Sequence, residues 1–114
     1  MGKGEIMSYN LLAALHAQEI LHANAASNIA NMNTRDYKSI RTAITEGPGA
    51  GGVMAVTRRS TTEGVPTEDG HCMSNVELPQ EICDLIRAQR GFEAILGAIS
   101  ARKEMLDELM DTRS

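Results

Sequence analysis

The stretch SNVELPQEICDLIRAQRGFEAILGAISARKEMLDELM, Ser74 to Met110, decides how this chain folds. Leu78, Ile82, Leu85, Phe92, Leu96, Ile99, Leu106 and Met110 fall on one heptad seam, with Gln89 and Lys103 filling its gaps. A straight helix lets such a seam drift, so a repeat of seven held this long predicts a helix winding around another. At ~1.5 Å per residue it would be roughly 50 Å long. It can bury its stripe only if much of the remaining chain lies alongside.

Several local features refine that helix. Ser74 and Glu77 have the spacing of a capping box. Pro79 is tolerated only in a first turn, so the start falls between Asn75 and Leu78. Gly91 and Gly97 each cost about 1 kcal/mol relative to Ala inside a helix. With Ala94, Ala98 and Ala101 they predict a strip of small side chains against which another helix presses. Glu104, Asp107, Glu108 and Asp111 have the wrong sign for the C-terminal dipole. That end is expected to fray unless a basic partner meets it.

Working outward, Leu11, Leu15, Gln18, His22, Ala25, Ile29 and Met32 predict a first helix over Ser8–Met32, flanked by Leu12 and Leu21. His22 on this stripe reads as a half-buried, hydrogen-bonded histidine, with a pH-sensitive contact as the alternative. A second face carries Ala23, Ala26 and Ala30, which permit close backbone approach. The Asn- and Thr-rich segment from Met32 to Tyr37 ends the helix. Ser39–Glu46 and Val53–Ser60 read as two short strands. Between them, Gly47-Pro48-Gly49-Ala50-Gly51-Gly52 matches GxGxxG formally. A strand follows where dinucleotide binding needs a helix, so the match reads as a flexible hairpin tip. Thr61–Met73 reads as a connecting loop with a turn at Asp69-Gly70.

Composition narrows the function. Only 3 % of the 114 residues are aromatic, with no Trp, which leans away from a pocket gripping a small molecule. Seven Met suit helix contacts that tolerate repacking. Net charge is −4 with scattered basic residues, so no nucleic-acid partner is expected. No apolar run approaches the ~18 residues of a membrane span. The N-terminus lacks the layout of a cleaved secretory signal, and Met1-Gly2 is followed by Ile6 where myristoylation wants Ser or Thr. Cys72 and Cys83 read as free thiols, and His16 and His22 point apart on the helix. No nucleophile with its base, carboxylate pair or metal set can be assembled, so neither an enzyme nor a cofactor is expected.

Two segments carry a family resemblance. Ala25-Ala26-Ser27-Asn28-Ile29-Ala30-Asn31-Met32-Asn33-Thr34, followed by Tyr37-Lys38, resembles the N-terminal signature of bacterial flagellar rod and hook proteins. Ser74-Asn75-Val76-Glu77-Leu78, Glu81-Ile82 and Ala88-Gln89-Arg90-Gly91-Phe92-Glu93-Ala94 resemble that family's C-terminal signature. The short middle and the Ala-Ala-Ser-Asn wording are most similar to the C-type proximal-rod proteins. Asp36 departs from the pattern, standing where the family usually has Gly. An Asp can adopt left-handed geometry, though less freely.

The resemblance implies a mainly α protein: long antiparallel N- and C-terminal helices in a coiled coil, with a small β-hairpin insertion. Residues 1–38 and 73–114 would form the helical domain and 39–72 the excursion. It implies a structural subunit of the flagellar basal-body rod, exported by the flagellar type III apparatus without a cleaved signal. Its partners would be copies of itself and other rod and hook proteins, with no small-molecule substrate. Asn28, Asn31 and Asn33 match asparagines that would cap the first helix and bond across subunits; singly, each reads as well as a turn former. Gln89, Arg90 and Glu93 match polar positions, with Gln89 either fixing register or lying on a solvated edge. Together with Phe92, Gly91 and Gly97 these are the expected assembly residues. The competing reading is a soluble coiled-coil regulatory module that holds one partner protein.

Overall fold

The computed structural model describes residues 2–49 and 51–113, so Met1, Ala50 of the glycine-rich segment and Ser114 lie outside the described residues. The chain forms α1 (Lys3–Ala30), β1 (Ile40–Glu46), β2 (Val53–Arg59) and α2 (Leu78–Arg113). α1 and α2 run antiparallel. Asn28 meets Glu81 at one end, Gln18 lies against Gly91 midway, and Arg102 donates to the Gly4 carbonyl (2.6 Å) and to Ser8 at the other end. The molecule is a thin slab, 75 × 26 × 14 Å.

β1 and β2 form an antiparallel hairpin with Ile40 opposite Arg59 and Glu46 opposite Val53. Ser39 and Gly47 continue its ladder through bonds to Ser60 (2.8 Å) and Gly52 (2.7 Å). The hairpin packs along α1. It begins where Asn28 bonds Ile40 and ends where Gly51 and Gly52 approach Tyr9 and Asn10. Gly52 has φ +70° and sits so near Asn10 that a β-carbon there would fall 3.0 Å from its side-chain oxygen. The glycine-rich tip thus serves a close backbone approach.

α1 begins earlier than the apolar pattern suggests, at Lys3 instead of Ser8. Its buried residues are Ala17, Leu21, Ala25 and Asn28, a stripe rotated by about one position from the expected one. His22 is exposed, as are Ala23, Ala26 and Ala30. The small residues buried in the helices are Ala17 and Ala25 on α1 and Ala88 on α2.

α2 starts at Leu78 with Pro79 in its first turn, where a missing N–H costs nothing. The capping box does not form. The Ser74 hydroxyl accepts the Val76 N–H (3.3 Å) in a local turn, and the Glu77 carbonyl accepts the Glu81 N–H (3.2 Å) to open the helix. Asn75 closes the base of the excursion. Its side chain accepts the Ser39 N–H (2.7 Å) and donates to Ser60 (3.0 Å) and the Thr62 carbonyl (2.7 Å).

Asp36 adopts φ +59°, the left-handed geometry that glycine would supply. Its N–H donates to the Cys72 carbonyl (2.8 Å), while its carboxylate accepts the Cys72 N–H and meets His71 Nδ1, both at 2.7 Å. Arg35 pairs with Asp69 at 3.0 Å beside it. The turn after α1 is thereby clasped to the loop before α2. Partial burial, then the charges of Glu63 and Asp36, push the Cys72 thiol up. Both Cys72 and Cys83 are free.

Candidate assembly interface

The side of α2 that α1 covers carries Glu81, Leu85, Ala88, Phe92, Ile95, Ile99 and Arg102, buried or half-buried at strict 4-3 spacing. This is only half the seam expected from the apolar residues. Leu85, Phe92 and Ile99 belong to both rows. Leu78, Ile82, Gln89, Leu96 and Lys103 turn roughly a quarter-circle away into solvent. The covered row swaps apolar bulk for a buried Glu, a small Ala and a clamping Arg, a trade that hydrophobic spacing cannot announce. The other row remains as an exposed apolar stripe of Leu78, Ile82 and Leu96, with Ile86 beside it.

The expected assembly residues divide between these two sides. Gln89, Arg90, Glu93 and Gly97 are all exposed. Gln89 donates to Glu93 (3.4 Å) along the stripe. Nothing lies within 4 Å of a β-carbon placed on Gly97, so that surface is open. Gly91 and Phe92 turn toward α1. A β-carbon on Gly91 would fall 2.7 Å from the Gln18 side chain, so Gly91 makes room within the chain and does not share a strip with Gly97. Phe92, Gln89 and Glu93 border a cleft of about 330 Å³ with Gln18, Glu19, His22 and Ala88.

The three asparagines also separate. Asn31 closes α1: its N–H reaches the Ser27 and Asn28 carbonyls (both 3.1 Å), and its side chain donates back to the Ser27 carbonyl (2.9 Å). Asn33 is exposed in the turn beyond. Asn28 is buried and fully employed within the chain. Its amide nitrogen donates to the Ile40 carbonyl (2.8 Å) and to Glu81 (2.9 Å). Its oxygen accepts the Ile40 N–H (2.8 Å) and the Tyr37 hydroxyl (2.9 Å). Asn28 thus pairs with the β1 edge as another strand would.

Glu81 is the most buried charge among the described residues. Arg41 from β1 pairs with it on one oxygen and Asn28 bonds the other, so the carboxylate is buried with its charge compensated. Nothing in the sequence pattern marks Arg41 or Asn24, which bonds Thr42 (2.8 Å) and Thr57 (3.2 Å). Polar residues inside a helical pattern carry no sign of facing inward. This node locks α1, the hairpin and α2 at one end. The open surface therefore lies along the exposed stripe of α2.

Residues 73–112, nearly all of α2 and the five residues that lead into it, match the family model described as Flagellar basal body rod FlgEFG protein C-terminal. This segment is similar to the flagellar basal body rod family. The family is a structural component of the flagellum, and the matched rod segment covers about a third of the chain. It contains both Glu81 of the buried node and the whole exposed stripe. Comparison with curated proteins gave no match. No described helix is long and apolar enough to cross a membrane. Among the described residues no group of three or more His, Cys, Asp or Glu is placed to hold a metal ion.

Proposed function

We propose that this chain is a subunit of the bacterial flagellar rod, in the manner of the C-type proximal-rod proteins, and assembles through helix packing. The carrying observation is the exposed row Leu78, Ile82, Leu96 on a segment of rod-family sequence. Apolar rows of this kind bury surface against neighbouring helices at roughly 25 cal/mol per Å². A contact repeated without closing on itself builds a tube. In this reading residues 1–38 and 73–114 form the coiled-coil wall and 39–72 the excursion outside it. The chain reaches the basal body through the flagellar type III apparatus without a cleaved signal, and other rod and hook proteins are its neighbours. Gln89, Arg90, Glu93 and Gly97 would line the contact, with Asn33 at its end.

Crosslinking in flagellated cells from Gly97 and Ala26, both exposed, tests the reading. Adducts to rod proteins or to a second copy are expected from Gly97. Adducts confined to a single soluble partner would instead favour a binding module.

A further inference from the structure

The hairpin has two strand edges, and each is open over a different half. The rungs Ser39–Ser60 (2.8 Å) and Gly47–Gly52 (2.7 Å) bracket the β1–β2 register. Rungs recur at every second residue of an antiparallel pair. Ile40, Thr42, Ile44 and Glu46 therefore turn their N–H and C=O groups outward, as do Val53, Ala55, Thr57 and Arg59. Asn28 takes both outward groups of Ile40 (2.8 Å each). Among the described residues no protein group bonds the remaining outward backbone groups. Neither strand carries the proline or bulge that blunts an edge.

Asn28 closes β1 at its base and leaves the tip half, Ile44 to Glu46, open. β2 is the reverse. Its tip abuts α1, where a β-carbon on Gly52 would lie 3.4 Å from the Asn10 α-carbon. Val53 and Ala55 are half-buried, whereas Thr57, Arg58 and Arg59 are exposed. Charge follows the same division. The open half of β1 ends in the exposed Glu46, and that of β2 ends in two arginines. Pairing the base halves of two β2 strands would set Arg58 directly against Arg58, which is destabilising. Setting β1 against β2 brings opposite charges together.

We propose that the tip half of β1 in one copy adds as an antiparallel strand to the base half of β2 in a second copy. Glu46 stands opposite Thr57, Thr45 opposite Arg58 and Ile44 opposite Arg59. Of the registers that match outward groups, this one alone keeps Glu46 beside Arg59 with both pairs inside the strands. The Glu46 carboxylate lies diagonal to Arg59, within reach of long side chains. Each copy offers one edge to one neighbour and the other edge to the next, so the contact is heterologous. It goes beyond the helix contact and does not need it.

A contact this small is caught by crosslinking. The test oxidises the full chain with Cys72 and Cys83 replaced by Ser. Thr45 and Arg58 are exposed, so Thr45→Cys and Arg58→Cys leave the fold in place. Across the proposed contact their Cα atoms would be about 4.5 Å apart, within disulfide range. Within one chain Thr45 faces Met54 and Arg58 faces Arg41, so a double variant cannot close on itself. Neither single variant should crosslink alone. Their mixture should give dimers, and the double variant a ladder of multimers. Adding Glu46→Arg to the Thr45→Cys chain should cut the dimer yield about threefold, and adding Arg59→Glu to the Arg58→Cys chain should restore it. Self-crosslinking of either single variant, a mixture without dimers, or a yield indifferent to these charges would overturn the proposal. Crosslinks from Gly97 and Ala26 report on the helices, so the two readings fail separately.

Discussion

Asn28 reaches Tyr37, Ile40 and Glu81 with one carboxamide, so shortening it leaves several buried groups unpaired at once. Asn28→Ala and Glu81→Ala should each cost on the order of 3 kcal/mol. The double variant should cost clearly less than the sum, since the two residues share a bond. Urea unfolding followed by circular dichroism measures this, and full additivity would refute the node. Asp36 makes a pH-dependent prediction. The Cys72 N–H, then the His71 hydrogen bond, then the charges of His71 and Arg35 hold its carboxyl below the usual range. A carboxyl lowered by folding adds stability above its unfolded pKa, and loses it as pH falls through the folded value. Protection of the Cys72 amide, corrected for intrinsic exchange, should persist from neutral pH to about 4 and collapse below. In Asp36→Asn the acid step should disappear. Such roles were only partly legible in the sequence. The left-handed turn at Asp36 could be anticipated from its place in the motif, but its clasp onto Cys72 needed the fold. Asn28 and Glu81 sat in the motifs, yet an inward polar residue and a solvated one look alike until their partners are known.

At the scale of elements, both helices and the hairpin could be read from the chain, with strand ends within one residue. The azimuth of α2 could not. Two 4-3 rows share Leu85, Phe92 and Ile99, and hydrophobicity favours the row with Ile82 and Leu96. The row that packs on α1 instead runs through the buried Ala88. The glycines expose the same difference. Gly97→Ala meets open space and should stabilise the chain by about 1 kcal/mol through helix propensity. Gly97→Leu should leave the fold intact while blocking assembly, seen as lost swimming in complemented cells. Gly64→Ala behaves oppositely. Its β-carbon would lie 2.0 Å from the Met73 carbonyl oxygen. Backbone would have to shift, breaking the Met73–Val65 bond (2.8 Å) that ties the loop. A loss of about 2 kcal/mol is expected, measured by thermal unfolding.

For the whole molecule, a slab 14 Å thick has little interior. Its apolar core among the described residues is Leu21 and three alanines beside one buried ion pair, while Ile82, Ile86 and Leu96 face outward. Light scattering should therefore show mass rising with concentration. Ile82→Ser with Leu96→Ser should suppress that rise while changing stability by no more than about 1 kcal/mol, since both residues are already in water. A mass independent of concentration in wild type would count against the stripe as a contact.

The meeting of Ser39 with Asn75 has a consequence for how such a chain can vary. The excursion enters and leaves through a single doorway, with 2.7 Å between the donor on one jamb and the acceptor on the other. Lengthening or replacing what hangs beyond that threshold would redecorate the exterior without sliding one helix past the other, provided Ile40 and Arg41 are kept at the sill.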